Sequence, residues 1–153
     1  MAKRQEIRQG SAGYLVTEVV VHCSATGASW YTGKKSSEKL AEIKRWHVQD
    51  RGWRDIGYHY VIDTDGTVLP GRAETVIGAG VEGHNRGVIH VCLIGGGGSA
   101  ATDPFERNFT AHQAAALRKV LASIRLRTPI ARISGHNEHA AKACPGFQVG
   151  KWL

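Results

Sequence analysis

No stretch of this 153-residue chain approaches the roughly 18 consecutive apolar residues of a membrane span, so no transmembrane segment is expected. The opening residues Met1-Ala2-Lys3-Arg4-Gln5-Glu6 are basic, but no apolar core follows them. A secretory signal is therefore not expected, and nothing in the chain reads as exporting it unaided. Three cysteines (Cys23, Cys92 and Cys144) are too few, and odd in number, for a disulfide framework. A reducing cytosol suits them better, as core thiols, nucleophiles or metal ligands. No internal repeat and no shift in composition divides the chain. The run Gly95–Gly98 is not a dinucleotide fingerprint, because position 100 is Ala and no helix start follows directly. Acidic residues are scarce: 13 Asp and Glu against 20 Lys and Arg leave a net charge of +7. That balance suits an anionic partner such as nucleic acid, a membrane surface or a cell-wall polymer, but the positive residues are scattered and choose none of these.

What is present is a globular chain of one-domain size, 42% apolar. Residues 1–14 read as a loose polar arm, and 15–153 as the domain proper. Leu15 to His22 is a β-branched run and predicts a strand. Gly27 to Gly33 reads as a loop. Leu40, Ile43 and Trp46 recur at helical spacing, predicting a helix over Ser36–Gln49 that Gly52 ends. Tyr58–Asp63 alternates as a strand, Asp65-Gly66 is a turn signal, and Thr67–Leu69 returns as the hairpin partner. The glycine-rich stretch 70–87 reads as irregular. Val88–Ile94 is nearly all apolar, as a central strand would be. Thr110 with Gln113 forms a capping box for a helix running to about Leu126 and stopped by Pro129. Ile130–Ser134 predicts a last strand, and 135–153 a loop with a short terminal turn. The order β-α-β-β-β-α-β predicts the α/β class: a single domain whose mixed β-sheet of about five strands is flanked by helices.

Three residues carry the candidate chemistry. His22 closes the first strand, His136 follows the last strand after Gly135, and Cys144 comes eight residues later. Strand ends of an α/β sheet gather on one rim, so the two imidazoles meet there if their strands are neighbours. A seven-residue loop can return Cys144 to His136. Two imidazoles and a thiolate make a Zn²⁺ set that leaves a fourth position open for water, the pattern of a catalytic rather than a structural site. Spacing alone leaves two other readings. Cys144 and His136 can be a protease dyad oriented by Asn137, or all three residues can be ordinary core and surface groups. His59 and His90 read as satisfied structural histidines, and Cys23 and Cys92 as core.

The motifs around these residues resemble a known family. His22-Cys23-Ser24-Ala25-Thr26 after an apolar strand, then Ile43–His47 and Gly52–Tyr60, come first. Asp65–Val68 with Gly71-Arg72, Val91–Gly96, Gly135–Glu138 and Lys142–Phe147 follow in family order. Together they are similar to the zinc N-acetylmuramoyl-L-alanine amidases, relatives of the peptidoglycan recognition proteins, and above all to short phage amidase lysozymes (endolysins). The resemblance covers residues 15–150. It implies Zn²⁺ on His22, His136 and Cys144, catalytic roles for Tyr58 and Lys142, and substrate contacts at Thr26, His47 and Asn85. The implied reaction is hydrolysis of the amide between N-acetylmuramic acid and L-alanine. One departure stands out: relatives carry a histidine at the position aligned with Gly80, for which the nearby His84-Asn85 is the expected substitute.

The resemblance also implies peptidoglycan as partner, a monomer, and no membrane insertion. It further implies synthesis in a host cytoplasm with release to the wall by a separate protein. One of the phage lysozymes it resembles inhibits its own phage's RNA polymerase, so the polymerase is a second candidate partner, with the N-terminal arm as its natural contact. The competing class is a non-catalytic peptidoglycan-binding module. Such relatives lose the cysteine ligand, and Cys144 is intact here.

Overall fold

The computed structural model describes residues 5–153. Residues 1–4, the outermost part of the expected arm, lie outside the described residues. In chain order the strands are β1 (Arg8–Gln9), β2 (Tyr14–Leu15), β3 (Glu18–Cys23), β4 (Tyr60–Ile62), β5 (Val68–Pro70), β6 (Val88–Leu93) and β7 (Arg132–Gly135). The α-helices are α1 (Ala28–Tyr31), α2 (Ser36–Arg45), α3 (Phe105–Asn108), α4 (Ala111–Arg127) and α5 (Val149–Trp152). A five-stranded mixed sheet runs in the order β5-β4-β6-β3-β7. Only the β4–β5 pair is antiparallel; β4–β6, β6–β3 and β3–β7 are parallel. The mixed α/β sheet expected from the sequence is therefore present.

Alternation along the two central strands sorts the chemistry from the core. Val19, Val21 and Cys23 of β3 and Ile89, Val91 and Leu93 of β6 enter one apolar cluster with Leu117, Leu121 and Ile124 of α4 and with Phe105, Phe109 and Phe147. The opposite face carries Glu18, Val20 and His22 on β3, and Val88, His90 and Cys92 on β6. Cys92 and Ile94 pack there with Ile43 and Ile56, and Val20 packs with Val81 and Val88. Cys23 and Cys92 are thus core residues, as expected.

Helix α4 starts at its capping box, with the Thr110 hydroxyl accepting from Gln113 N and Gln113 Oε1 accepting from Thr110 N. Helix α2 is shorter than the periodicity predicts. It passes into a π-helical turn over Trp46–Asp50, and Gly52 follows at φ 74°. The turn carries His47 inward, where its Nδ1 accepts a hydrogen bond from Gly57 N at 2.8 Å. A buried ion pair ties α2 to the sheet: Lys39 Nζ lies 2.7 Å from Asp63 Oδ1, and the Ser36 hydroxyl donates to the same carboxylate.

The expected loose arm is instead packed over its described part. Strands β1 and β2 form an antiparallel hairpin, and Ile7 enters the main core. Gln9 is fully buried. Its Nε2 donates to the carbonyls of Glu74 and Val88, and its Oε1 accepts from Gly87 N. A polar side chain satisfied on every side is buried at little cost, so polarity here did not mean mobility. The predicted strand from Leu15 is also interrupted, because Val16 N bonds back to Ile7 O while Thr17 N turns to Gly87 O.

Candidate metal centre and cleft

His22 and His136 come together because β3 and β7 are parallel neighbours whose C-terminal ends share one rim of the sheet. The His22 Nδ1 and His136 Nδ1 atoms are 3.2 Å apart, and Cys144 Sγ lies 4.0 Å from His22 Nδ1. One donor atom from each of the three lies within 4.8 Å of the others. Cys144 Sγ also accepts from Cys23 N at 3.2 Å, which fixes the thiol against the end of β3. Burial holds both imidazoles below the ordinary histidine range; the neighbouring His90 and His136 add to this at His22, and Lys142 adds to it at His136. Both rings are therefore neutral at pH 7, the form that ligates a cation. The Cys23 thiol and burial raise Cys144 above the ordinary thiol range, so its thiolate form needs a nearby cation. Two neutral imidazole nitrogens and a thiol converging on one point fit a tetrahedral Zn²⁺ with one position left over.

The sequence reading missed the group behind His22. His90 Nδ1 lies 2.8 Å from His22 Nε2. With a cation on Nδ1 of His22, its Nε2 would carry the proton and donate to His90 Nδ1. Such a hydrogen bond is what fixes the tautomer and the orientation of a ring that ligates a metal. His90 must then hold its own proton on Nε2. That atom is buried and, among the described residues, has no hydrogen-bond partner. The expectation of a fully satisfied His90 is therefore corrected: one ring nitrogen serves His22 and the other is unmatched. His59 does behave as expected, with Nε2 on Val76 O and Nδ1 accepting from His90 N.

The same contact explains Gly80. A Cβ at Gly80 would lie 2.3 Å from His90 Nδ1 and 2.8 Å from His22 Nε2. The space that a residue-80 side chain would enter is filled by an imidazole arriving from β6. His84 does not substitute at this place, contrary to expectation: it bonds to Glu18 and stacks on His139. The signal for His90 was present in the sequence as the one polar residue inside the apolar run Val88–Ile94.

Two clefts flank the centre. One, of about 490 Å³, is lined by Arg51, Trp53, Gly80, Asn85, His136 and Lys142 among others. The other, of about 360 Å³, is lined by Ser24, Trp46, His47, Arg51 and Tyr58 among others. The Tyr58 ring packs 5.0 Å from the His22 ring and 5.2 Å from that of His47. Burial pushes the Tyr58 hydroxyl well above its usual range, and it stays protonated at neutral pH. Burial, with Arg51 and Arg72, lowers His47 to about 4, so that ring is neutral too. Asn85 lines the first cleft and also pins its wall, its Oδ1 accepting from Val81 N at 3.0 Å. Thr26 is the outlier among the expected contacts. Its hydroxyl is engaged with Ser24 Oγ at 2.7 Å, and it lines neither cleft.

Comparison with known proteins agrees with this arrangement. The family profile described as N-acetylmuramoyl-L-alanine amidase (Amidase_2) matches residues 12–147. The chain is 41% identical over 151 residues to an endolysin of Enterobacteria phage K11, covering 99% of this chain and 88% of that one. It is 40% identical over 134 residues to the endolysin of Escherichia phage T7, covering 88% and 83%. A solved structure of Drosophila peptidoglycan recognition protein SD shares the fold, with a TM-score of 0.71 at 21% identity over 95% of this chain and 83% of that one. A sheet that brings two histidines and a cysteine to one rim, in a chain so matched, belongs to the N-acetylmuramoyl-L-alanine amidase family.

Proposed function

We propose that this chain is a phage endolysin: a zinc amidase that hydrolyses the bond between N-acetylmuramic acid and the L-alanine of the stem peptide. The observation that carries the reading is the convergence of His22, His136 and Cys144 beside two clefts. When bound by these three residues, zinc supplies Lewis acidity and lowers the pKa of a water molecule to about 7.

The chain's own residues do the rest. Lys142 lies on the wall of the first cleft beside His136. In this reading its ammonium meets the negative charge developing on the carbonyl oxygen of the scissile amide. Tyr58, held protonated by burial, is an orienting and proton-relaying group rather than a base. His90 holds His22, and the π turn holds His47 against Tyr58. Arg51, shared by both clefts and stacked over Trp53, adds positive charge to the walls that receive a stem-peptide carboxylate. An intact Cys144 favours catalysis over passive binding of the wall. Synthesis in a host cytoplasm and release by a separate protein complete the reading.

The test is removal of metal. Chelation abolishes release of stem peptides from purified peptidoglycan, and added Zn²⁺ restores it. Full activity in a sample verified as metal-free would end the zinc reading.

A further inference from the structure

A second cluster of donors lies outside the chemistry described above. Glu18 opens β3 and shares its face with Val20 and His22. His84 comes from the irregular segment before β6, and His139 from the turn after β7. The His84 Nε2 to Glu18 Oε2 distance is 2.7 Å. The His84 and His139 rings stack with centroids 4.5 Å apart and planes 19° from parallel. One donor atom from each of the three lies within 4.8 Å of the others. Val20, packed with Val81 and Val88, separates this cluster from His22 along the strand.

We propose that Glu18, His84 and His139 form a second divalent-metal site. Two imidazole nitrogens and a carboxylate select a borderline transition ion of the Zn²⁺ class, whereas Mg²⁺ and Ca²⁺ call for an all-oxygen shell. The three groups are partly buried, with side chains 38% exposed at His84 and 19% at Glu18, so an ion can enter as the His84 ring turns out of the stack to aim its lone pair, and can keep water in its remaining position. Burial and the nearby His84 hold His139 below the ordinary imidazole range, leaving it a neutral donor at pH 7. His139 is already oriented by the contact between its Nε2 and Ser134 Oγ at 2.8 Å, as ligating rings are held by a second polar partner.

The place of the site in the fold gives its role. Its ligands come from three chain segments, and two of those segments build the wall of the 490 Å³ cleft. His84 adjoins Gly83 and Asn85, and His139 adjoins Ala140, all of which line that cleft. An ion here ties both segments to the start of β3. It stiffens the cleft that carries Lys142 without touching the reacting atoms. The site is a structural clamp and does not depend on the amidase reading.

The experiment strips the whole protein with chelator and titrates it with Co²⁺, then Zn²⁺, by absorption spectroscopy and calorimetry. Two equivalents bind. One produces a thiolate-to-cobalt charge-transfer band through Cys144, and the other adds visible bands without it. Glu18→Gln and His84→Ala each remove the second class and keep the thiolate band. Melting in chelator reports what each substitution costs the metal-free fold, whereas the metal-induced rise belonging to the second equivalent vanishes only if the site is real. Glu18→Gln keeps a hydrogen-bond acceptor and so preserves the fold should His84→Ala fail to fold. Absence of any cobalt band beyond those of the thiolate class in the unaltered protein, or a non-thiolate class that survives Glu18→Gln, overturns the site. Loss of the thiolate band with the second class retained would instead count against the centre at Cys144.

Discussion

His90 and Gly80 give the sharpest perturbation, because each explains the other. Gly80→Ala places a methyl 2.3 Å from His90 Nδ1, inside any permissible contact. The His90 ring is fully buried and lies parallel to that of His59, so any retreat disturbs packed neighbours. Overpacking of this kind costs about 1–3 kcal/mol, and the displaced ring also loses its bond to His22. His90→Gly relieves the crowding but leaves His22 Nε2 without a partner, which weakens zinc binding about 10–100-fold. The reciprocal double variant, Gly80→His with His90→Gly, returns an imidazole to the same space from the opposite wall and recovers most of that affinity. Gly80→His alone forces two rings into one volume and is worse than either single change. Zinc affinity by chelator competition, with melting in the metal-free state, separates ligand orientation from packing. Wild-type zinc affinity in His90→Gly, or a silent Gly80→Ala, would refute the claim that His90 holds the metal ligand.

Further outcomes follow from the same geometry. Lys142→Ala lowers kcat about 10²–10³-fold with zinc content unchanged, and Tyr58→Phe folds normally and loses rate; wild-type rates in both would leave these residues without a catalytic role. Asp63→Asn strands the buried Lys39 charge and destabilises by about 3–5 kcal/mol in a denaturant melt, whereas a loss below about 1 kcal/mol would place the pair with ordinary surface bridges. Burial alone would raise the Asp63 carboxyl, but hydrogen bonds from Lys39, Ser36 and Thr64 outweigh it and hold it below the usual carboxylate range. Its contribution to stability is therefore full above the unfolded carboxyl value of about 3.9 and is lost as pH falls through the lower folded value; Asp63→Asn flattens that acid limb. The net charge of +7 makes attack on whole, outer-membrane-stripped cells salt-sensitive as the Debye length shortens to about 8 Å at 0.15 M. A soluble muropeptide shows much less dependence, and equal salt curves would remove charge steering.

Much of the fold was legible because its periodicities are strong. The apolar run Val88–Ile94 reads as a central strand and is one, and Thr110 with Gln113 marked the start of α4 almost to the residue. The hairpin at Arg8–Leu15 was not legible, since its strands are two residues long and its anchor is a buried glutamine whose partners lie 65 to 79 residues away. The short helices Ala28–Tyr31 and Phe105–Asn108 are single turns without a periodic face. At the candidate site, strand-end positions pointed to His22 and His136, and the family motifs pointed to Tyr58 and Lys142. His90 stayed hidden because its role depends on register: it pairs with Val20 across β3–β6, two residues before His22, and only three dimensions turn that offset into a 2.8 Å contact. Glu18, His84 and His139 were invisible for the same reason, being 66 and 55 residues apart along the chain.

The central claim is that one bond is cut and that Cys144 makes the metal centre that cuts it. Mass spectrometry of a defined muropeptide, treated with the unaltered protein and with Cys144→Ser at measured zinc content, tests it directly. The account predicts a free lactyl carboxylate on the muramic acid and a free amino group on L-alanine, with Cys144→Ser losing zinc and product together. Cleavage at any other bond, or an undiminished rate from a zinc-free Cys144→Ser protein, would contradict it.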